Sequence, residues 1–123
     1  MRTIKFRSWS ETYQRMLYVD VLNLERDVLI AHDKDNKTYT QPLPVKKGVL
    51  MQFIGLLDSN GKEIYESDLV ELENGEKWEI YWADGVGAFR LKWKEDDYED
   101  MLSPEEMEVI GNIYENKDLL KGL

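Results

Sequence analysis

DLVELENGEKWEIYWADGVGAFRLKWK, residues 68–94, contains three short runs of strand character separated by two turn signals. Asp68 to Glu73 and Lys77 to Trp82 flank Asn74-Gly75, the dipeptide that most readily takes two positive φ angles in a tight type I′ hairpin turn. Asp84-Gly85 marks a second turn, and Ala88 to Lys94 follows it. Side chains alternate along a strand, so Trp78, Ile80 and Trp82 share one face. Phe89, Leu91 and Trp93 share another, with Arg90, Lys92 and Lys94 opposite. The stretch therefore predicts a three-stranded meander, with Trp78, Trp82 and Trp93 in a hydrophobic core rather than a ligand cage.

The same punctuation extends outward. Ile4 to Arg7 predicts a first strand with Ile4 and Phe6 on one face and Lys5 and Arg7 on the other. Met16 to Leu22, Val28 to Ala31, Val49 to Leu57 and Val109 to Glu115 predict further strands. HDKDNKTYTQPLP, residues 32–44, opens with charges and holds two prolines that cannot donate ladder hydrogen bonds, so it is predicted as a surface loop. Ser103-Pro104-Glu105-Glu106 predicts a short helical turn, with Ser103 as cap, Pro104 at the first helical position and Glu106 closing a capping box. Asp118 to Leu123 is read as a final turn, and no segment sustains a helical apolar stripe.

A chain of 123 residues suits one domain with a single core. Its hydrophobic share of 42%, with seven Tyr and four Trp, argues against disorder throughout. The absence of cysteine excludes disulfides, thiol nucleophiles and thiolate metal sites. Charges interrupt every apolar pair of MRTIKFRSWS, and no later run approaches membrane-spanning length, so a soluble cytoplasmic protein is expected.

The formal charge of −9 is concentrated in one place. Between Glu95 and Glu108 stand Glu95, Asp96, Asp97, Glu99, Asp100, Glu105, Glu106 and Glu108 with no Lys or Arg, a local charge of −8. Affinity of the whole chain for nucleic-acid phosphates is disfavoured. The segment reads as a solvated loop and helix start whose acids complement the helix dipole. As a functional surface it would dock a basic protein partner, imitate DNA phosphates or hold a divalent ion, in that order, with Asp96, Asp97, Glu99 and Asp100 as candidate partner-binding residues. Arg2, Lys5, Arg7 and Arg15, near Trp9, suggest a weaker surface for single-stranded nucleic acid. The simpler reading of those cations is the solvent face of an edge strand.

His32 is the only histidine and has no recognisable nucleophile motif beside it. Asp33-Lys34-Asp35-Asn36 begins like a calcium loop, but Lys37 replaces an oxygen ligand, Thr38 the glycine and Pro44 the closing glutamate. Asp58, Asn60 and Gly61 read as a turn. No catalytic, metal or cofactor-binding residue is assigned, no cofactor is expected, and the chain is not expected to be an enzyme.

IKFRSW (4–9), MLYV (16–19), LMQFIGLLDSNGKEIYESDLV (50–70) and VIGNIYEN (109–116) bracket nearly the whole chain. Together they resemble the YopX family, encoded mainly by bacteriophages and prophages of Gram-positive bacteria. The resemblance implies one all-β domain over 1–123, with an SH3-like barrel at about 58–116 preceded by N-terminal strands at about 1–57. It carries over no catalytic residues and implies an accessory protein acting inside the infected cell. Leu24 to Lys47 lies outside the resemblance. Ser67 stands where the family pattern has glycine, as in YEGD, so the backbone there is expected not to need a glycine-only conformation. The function expected is noncatalytic binding, to a protein partner or to further copies of the chain. The alternatives are an acidic nucleic-acid mimic that inhibits a host DNA-binding protein, or weak nucleic-acid binding through the N-terminal basic strand.

Overall fold

The computed structural model describes residues 3–93 and 97–121 and is mainly β, in two antiparallel sheets. Two compact units divide at Gln52/Phe53, each with its own cluster of buried side chains.

In the unit Thr3–Gln52 the strands are β1 (Phe6–Ser10), β2 (Arg15–Asn23), β3 (Val28–His32), β4 (Thr38–Pro44) and the first half of β5 (Gly48–Leu57). Their order is β4-β3-β2-β1-β5, with Ser8 opposite Leu17 and Leu50, and Leu29 opposite Leu43. One face buries Leu17, Leu29, Ala31 and Tyr39, with Val19, Leu22, Leu43 and Val45 packed against them.

Two expectations change here. Arg7 is buried, because β1 is an interior strand hydrogen-bonded to both β2 and β5, whereas the sequence suggested an exposed basic edge. The predicted loop at 32–44 is in part strand: β4 runs through Pro42 and Pro44, which a ladder tolerates because β4 is the outermost strand.

In the described part of Phe53–Leu123, the second half of β5 pairs with β6 (Glu63–Tyr65). The other strands are β7 (Asp68–Leu72), β8 (Lys77–Ala83), β9 (Ala88–Trp93), β10 (Asp97–Asp100) and β11 (Met107–Asn112), in the order β10-β9-β8-β7-β11. The predicted meander is β7-β8-β9. A 3-10 turn, Pro104–Glu106, precedes β11, and α1 (Lys117–Lys121) follows it. Ile64, Val70, Ile80, Leu91, Met107 and Val109 form the buried cluster, with Trp78 packed against it.

The all-β class stands, but the sheets are open and the described strands do not close into a barrel. Closure would require β10 to pair with β11. The outer side of β11 is instead occupied by the corner after β5: the Ser59 N–H donates to the Met107 carbonyl (2.9 Å), and the Val109 N–H donates to Asp58 Oδ2 (2.8 Å). The other Asp58 oxygen accepts the N–H groups of Asn60 (2.9 Å) and Lys62 (2.8 Å).

Asp33 builds the same loop in the first unit. In DKDNK (33–37) and DSNGK (58–62), the aspartate Oδ1 accepts the N–H groups two and four residues on, and the fourth residue is left-handed (Asn36 φ 62°, Gly61 φ 80°). The β7–β8 turn follows the same backbone plan. The Leu72 carbonyl accepts from Gly75, the Leu72 N–H donates to the Glu76 carbonyl, and only Gly75 has a positive φ (86°). Asn74-Gly75 is thus a type I turn with a glycine bulge, not the expected type I′ turn.

Three smaller expectations also change. Ser67 does adopt the left-handed region (φ 71°), because its N–H donates to the Ile80 carbonyl (2.8 Å) while its own carbonyl accepts from Ile113 (3.1 Å). Trp82 is 45% exposed and lies edge-on to Phe89 beyond the buried Ile80–Leu91 pair, outside the core. The capping box does not form: Ser103 makes no side-chain cap, and its hydroxyl bonds to Glu105 instead (3.1 Å).

Candidate functional site

The acidic segment is not one continuous array. Tyr98, Glu99 and Asp100 lie on β10, opposite Lys92, Leu91 and Arg90 of β9. Alternation places Tyr98 and Asp100 on one face and Glu99 on the other. The Asp100 carboxylate meets Arg90 Nε at 3.2 Å while remaining 91% exposed. Tyr98 is half-exposed and meets the Tyr81 ring edge-on at 6.0 Å, and Lys92 Nζ lies 5.0 Å above that ring. Glu79, 3.9 Å from Lys92, completes this face; burial pushes its carboxyl above the ordinary glutamate range despite the nearby cation. Of the four candidate acids, Glu99 and Asp100 are thus exposed on a strand. Asp97 opens β10, and Asp96 lies outside the described residues.

Glu105, Glu106 and Glu108 belong elsewhere. With Glu71 and Glu73 from the end of β7 they line a groove of about 290 Å³ beside Leu72. Lys77 Nζ lies 3.4 Å from Glu71. Among the described residues no group of three or more acids or histidines has the geometry to hold a metal ion. Sequence reasoning missed the contribution of Glu71 and Glu73, since only the β7–β11 pairing brings them beside residues 105–108. It also missed Tyr98, whose signal was the alternation of DYED.

The two edges of this sheet differ. On β11 the Asp58–Ser59 corner satisfies outward backbone groups. On β10, among the described residues, backbone pairing is with β9 alone. Unpaired strand edges are templates for a further strand, and acidic side chains there select against acidic partners, including another copy of the same edge.

The remaining candidates are dispersed. His32 Nδ1 lies 3.0 Å from both oxygens of Asp20 on the surface of β2 and β3, with the Tyr18 ring beside it. Of the N-terminal cations, Arg7 is buried, Arg15 Nη1 reaches Asp33 Oδ2 at 3.1 Å, Lys5 is exposed, and Arg2 lies outside the described residues. Trp9 is buried and offers no stacking platform. Burial alone would raise the Asp33 carboxyl, but the N–H groups of Lys37 and Asp35 and the Arg15 guanidinium outweigh it and hold the group below the usual carboxylate range. The same competition lowers Asp58, through Val109, Lys62 and Asn60. No helix among the described residues is long and apolar enough to cross a membrane.

The family model described as YopX protein matches residues 5–121, nearly the whole chain. The chain belongs to the YopX family. It is also similar to the crystal structure of protein EF1440 from Enterococcus faecalis, at 26% identity and a TM-score of 0.66, covering 98% of this chain and 99% of that one. A comparison with curated proteins finds no match. Within the YopX chain the quoted signatures have structural work. DSNGK seals β11 through Asp58. VIGNIYEN forms a turn in which Asn112 Oδ1 accepts from Tyr114 and Glu115 while the Asn112 N–H donates to Asn116 Oδ1. A side chain at Gly111 would collide with the Asn116 side chain that accepts the Asn112 N–H, so glycine suits the turn there.

Proposed function

We propose that this YopX protein is a noncatalytic accessory protein of a phage or prophage, acting in the host cytoplasm by binding a protein partner that presents a basic segment. The observation that supports this most is the difference between the two edges of the C-terminal sheet. β11 is occupied by Asp58 and Ser59, whereas β10 offers backbone groups flanked by exposed Glu99 and Asp100. A basic extended segment would complement both the backbone and the charge. The noncatalytic reading draws on the surface position of His32, whose neighbours are Asp20 and the Tyr18 ring.

The test is affinity capture from host cells during phage growth, with wild-type protein and with E99K/D100K as bait. Both acids are exposed, so reversal should leave the circular dichroism unchanged. A partner recovered by the wild type and lost by the variant supports the reading. A set of partners indifferent to the reversal refutes it.

A further inference from the structure

The acidic edge of β10 has one aromatic ring in its middle. Tyr98 stands between Asp97 and Glu99 in a run that is otherwise acidic from Glu95 to Asp100, and it is 51% exposed. The core does not account for that ring. Glu99 is the β10 residue opposite the buried Leu91, so the buried cluster lies on the Glu99 face and Tyr98 points to the other. On its own face Tyr98 meets Tyr81 edge-on at 6.0 Å. The cations of that face are already engaged: Lys92 Nζ lies over the Tyr81 ring and 3.9 Å from Glu79, and Arg90 Nε lies 3.2 Å from Asp100.

A strand added to β10 would set one residue directly opposite Tyr98 on this face, and the residues before and after it on the other. Glu99 is exposed and outside any ion pair among the described residues, and Asp100 stays 91% exposed beside Arg90. Pairing across strands favours cations against these acids and an aromatic ring against Tyr98. We propose that the segment bound along β10 carries an aromatic residue between basic ones, and that this residue pairs with the Tyr98 ring. Tyr98 is then the anchor that distinguishes such a segment from other basic strands. The inference rests on the reading of β10 as the edge that takes a basic segment, and it names that segment's pattern. A second copy of β10 also offers a tyrosine, but it sets Glu99 and Asp100 against like charges.

The test is a heteronuclear NMR titration of the full chain with two capped peptides of equal charge, Thr-Lys-Arg-Tyr-Arg-Lys-Thr and Thr-Lys-Arg-Thr-Arg-Lys-Thr. Both are expected to shift the amides of Tyr98, Glu99 and Asp100 saturably, the tyrosine peptide binding about two- to tenfold more tightly. Y98A is expected to abolish that difference while still binding both peptides, and Y98F, which keeps the ring, to preserve it. Equal affinity of the two peptides for the wild type overturns the proposal and leaves the basic-segment reading standing, as does a difference that survives in Y98A. Absence of shifts at these amides with either peptide overturns both. Shifts there that depend on protein concentration without peptide, the mark of self-pairing, also overturn the proposal.

Discussion

Replacing Ser67 by glycine should make the protein more stable, although it removes atoms from a half-buried position. Ser67 has φ 71°, fixed by the bond from its N–H to the Ile80 carbonyl at 2.8 Å and the bond to its carbonyl from Ile113 at 3.1 Å. A residue with a Cβ costs about 1–2 kcal/mol in the left-handed region. Glycine avoids that strain but has about 0.5–1 kcal/mol more chain entropy to lose on folding. The difference leaves S67G more stable by about 0.5–1 kcal/mol, which corresponds to about 2–8 °C in Tm for a unit of this size. Urea titration followed by tryptophan fluorescence suits the measurement, since Trp78, Trp82 and Trp93 all report on the C-terminal unit. S67A is the control, because alanine keeps the Cβ and relieves no strain. The reasoning fails if S67G unfolds at the same or lower urea concentration than wild type, or if S67A gains as much.

Four further outcomes follow from the same geometry. D58A, which orphans the buried N–H of Val109 along with the turn donors at Asn60 and Lys62, should cost about 2–4 kcal/mol by chemical denaturation. Asp33 and Asp58 both have folded pKa values below their unfolded ones, so their stabilisation is full above the unfolded aspartate range and is lost as pH falls through the folded values. An acid titration of D33N should therefore show a shallower loss of stability than wild type, measured from neutral pH downward. Glu79 has the opposite sign: its folded pKa is raised, so the native state is favoured at low pH and weakened as pH rises through that value. E79Q should remove this pH dependence from the unfolding midpoint. Finally, L91A should cost about 2–5 kcal/mol while W82A costs far less, because Leu91 is fully buried and Trp82 is 45% exposed; thermal melts of the two variants make the comparison.

The meander was legible because strand runs separated by Gly-containing turns leave few alternatives to β7-β8-β9. The outermost strands were not. β4 contains two prolines and β10 is almost entirely acidic, compositions that argue against strand yet are tolerated where only one side of the ladder is paired. The strand expected at Ile4 to Arg7 begins only at Phe6 and leaves Ile4 exposed, and alternation in IKFRSW carried no information on whether β1 had neighbours on both sides, which is why Arg7 looked like a surface cation. DSNGK was visible as a turn, and DKDNK only as part of a surface loop. What they fasten depends on partners far along the chain, Arg15 in one case and Val109 in the other. The candidate site was half-legible for the same reason: the acids are plain in the sequence, while their division between the edge of β10 and the groove with Glu71 and Glu73 depends on long-range strand pairing.

The binding account is tested most directly by hydrogen–deuterium exchange on the purified complex of the wild-type protein with its captured partner. Binding along the open edge predicts new protection of the backbone amides at Tyr98–Asp100, with those of β11 unchanged because Asp58 and Ser59 already occupy that edge. Protection confined to other strands, with Tyr98–Asp100 exchanging as in the free protein, would contradict it.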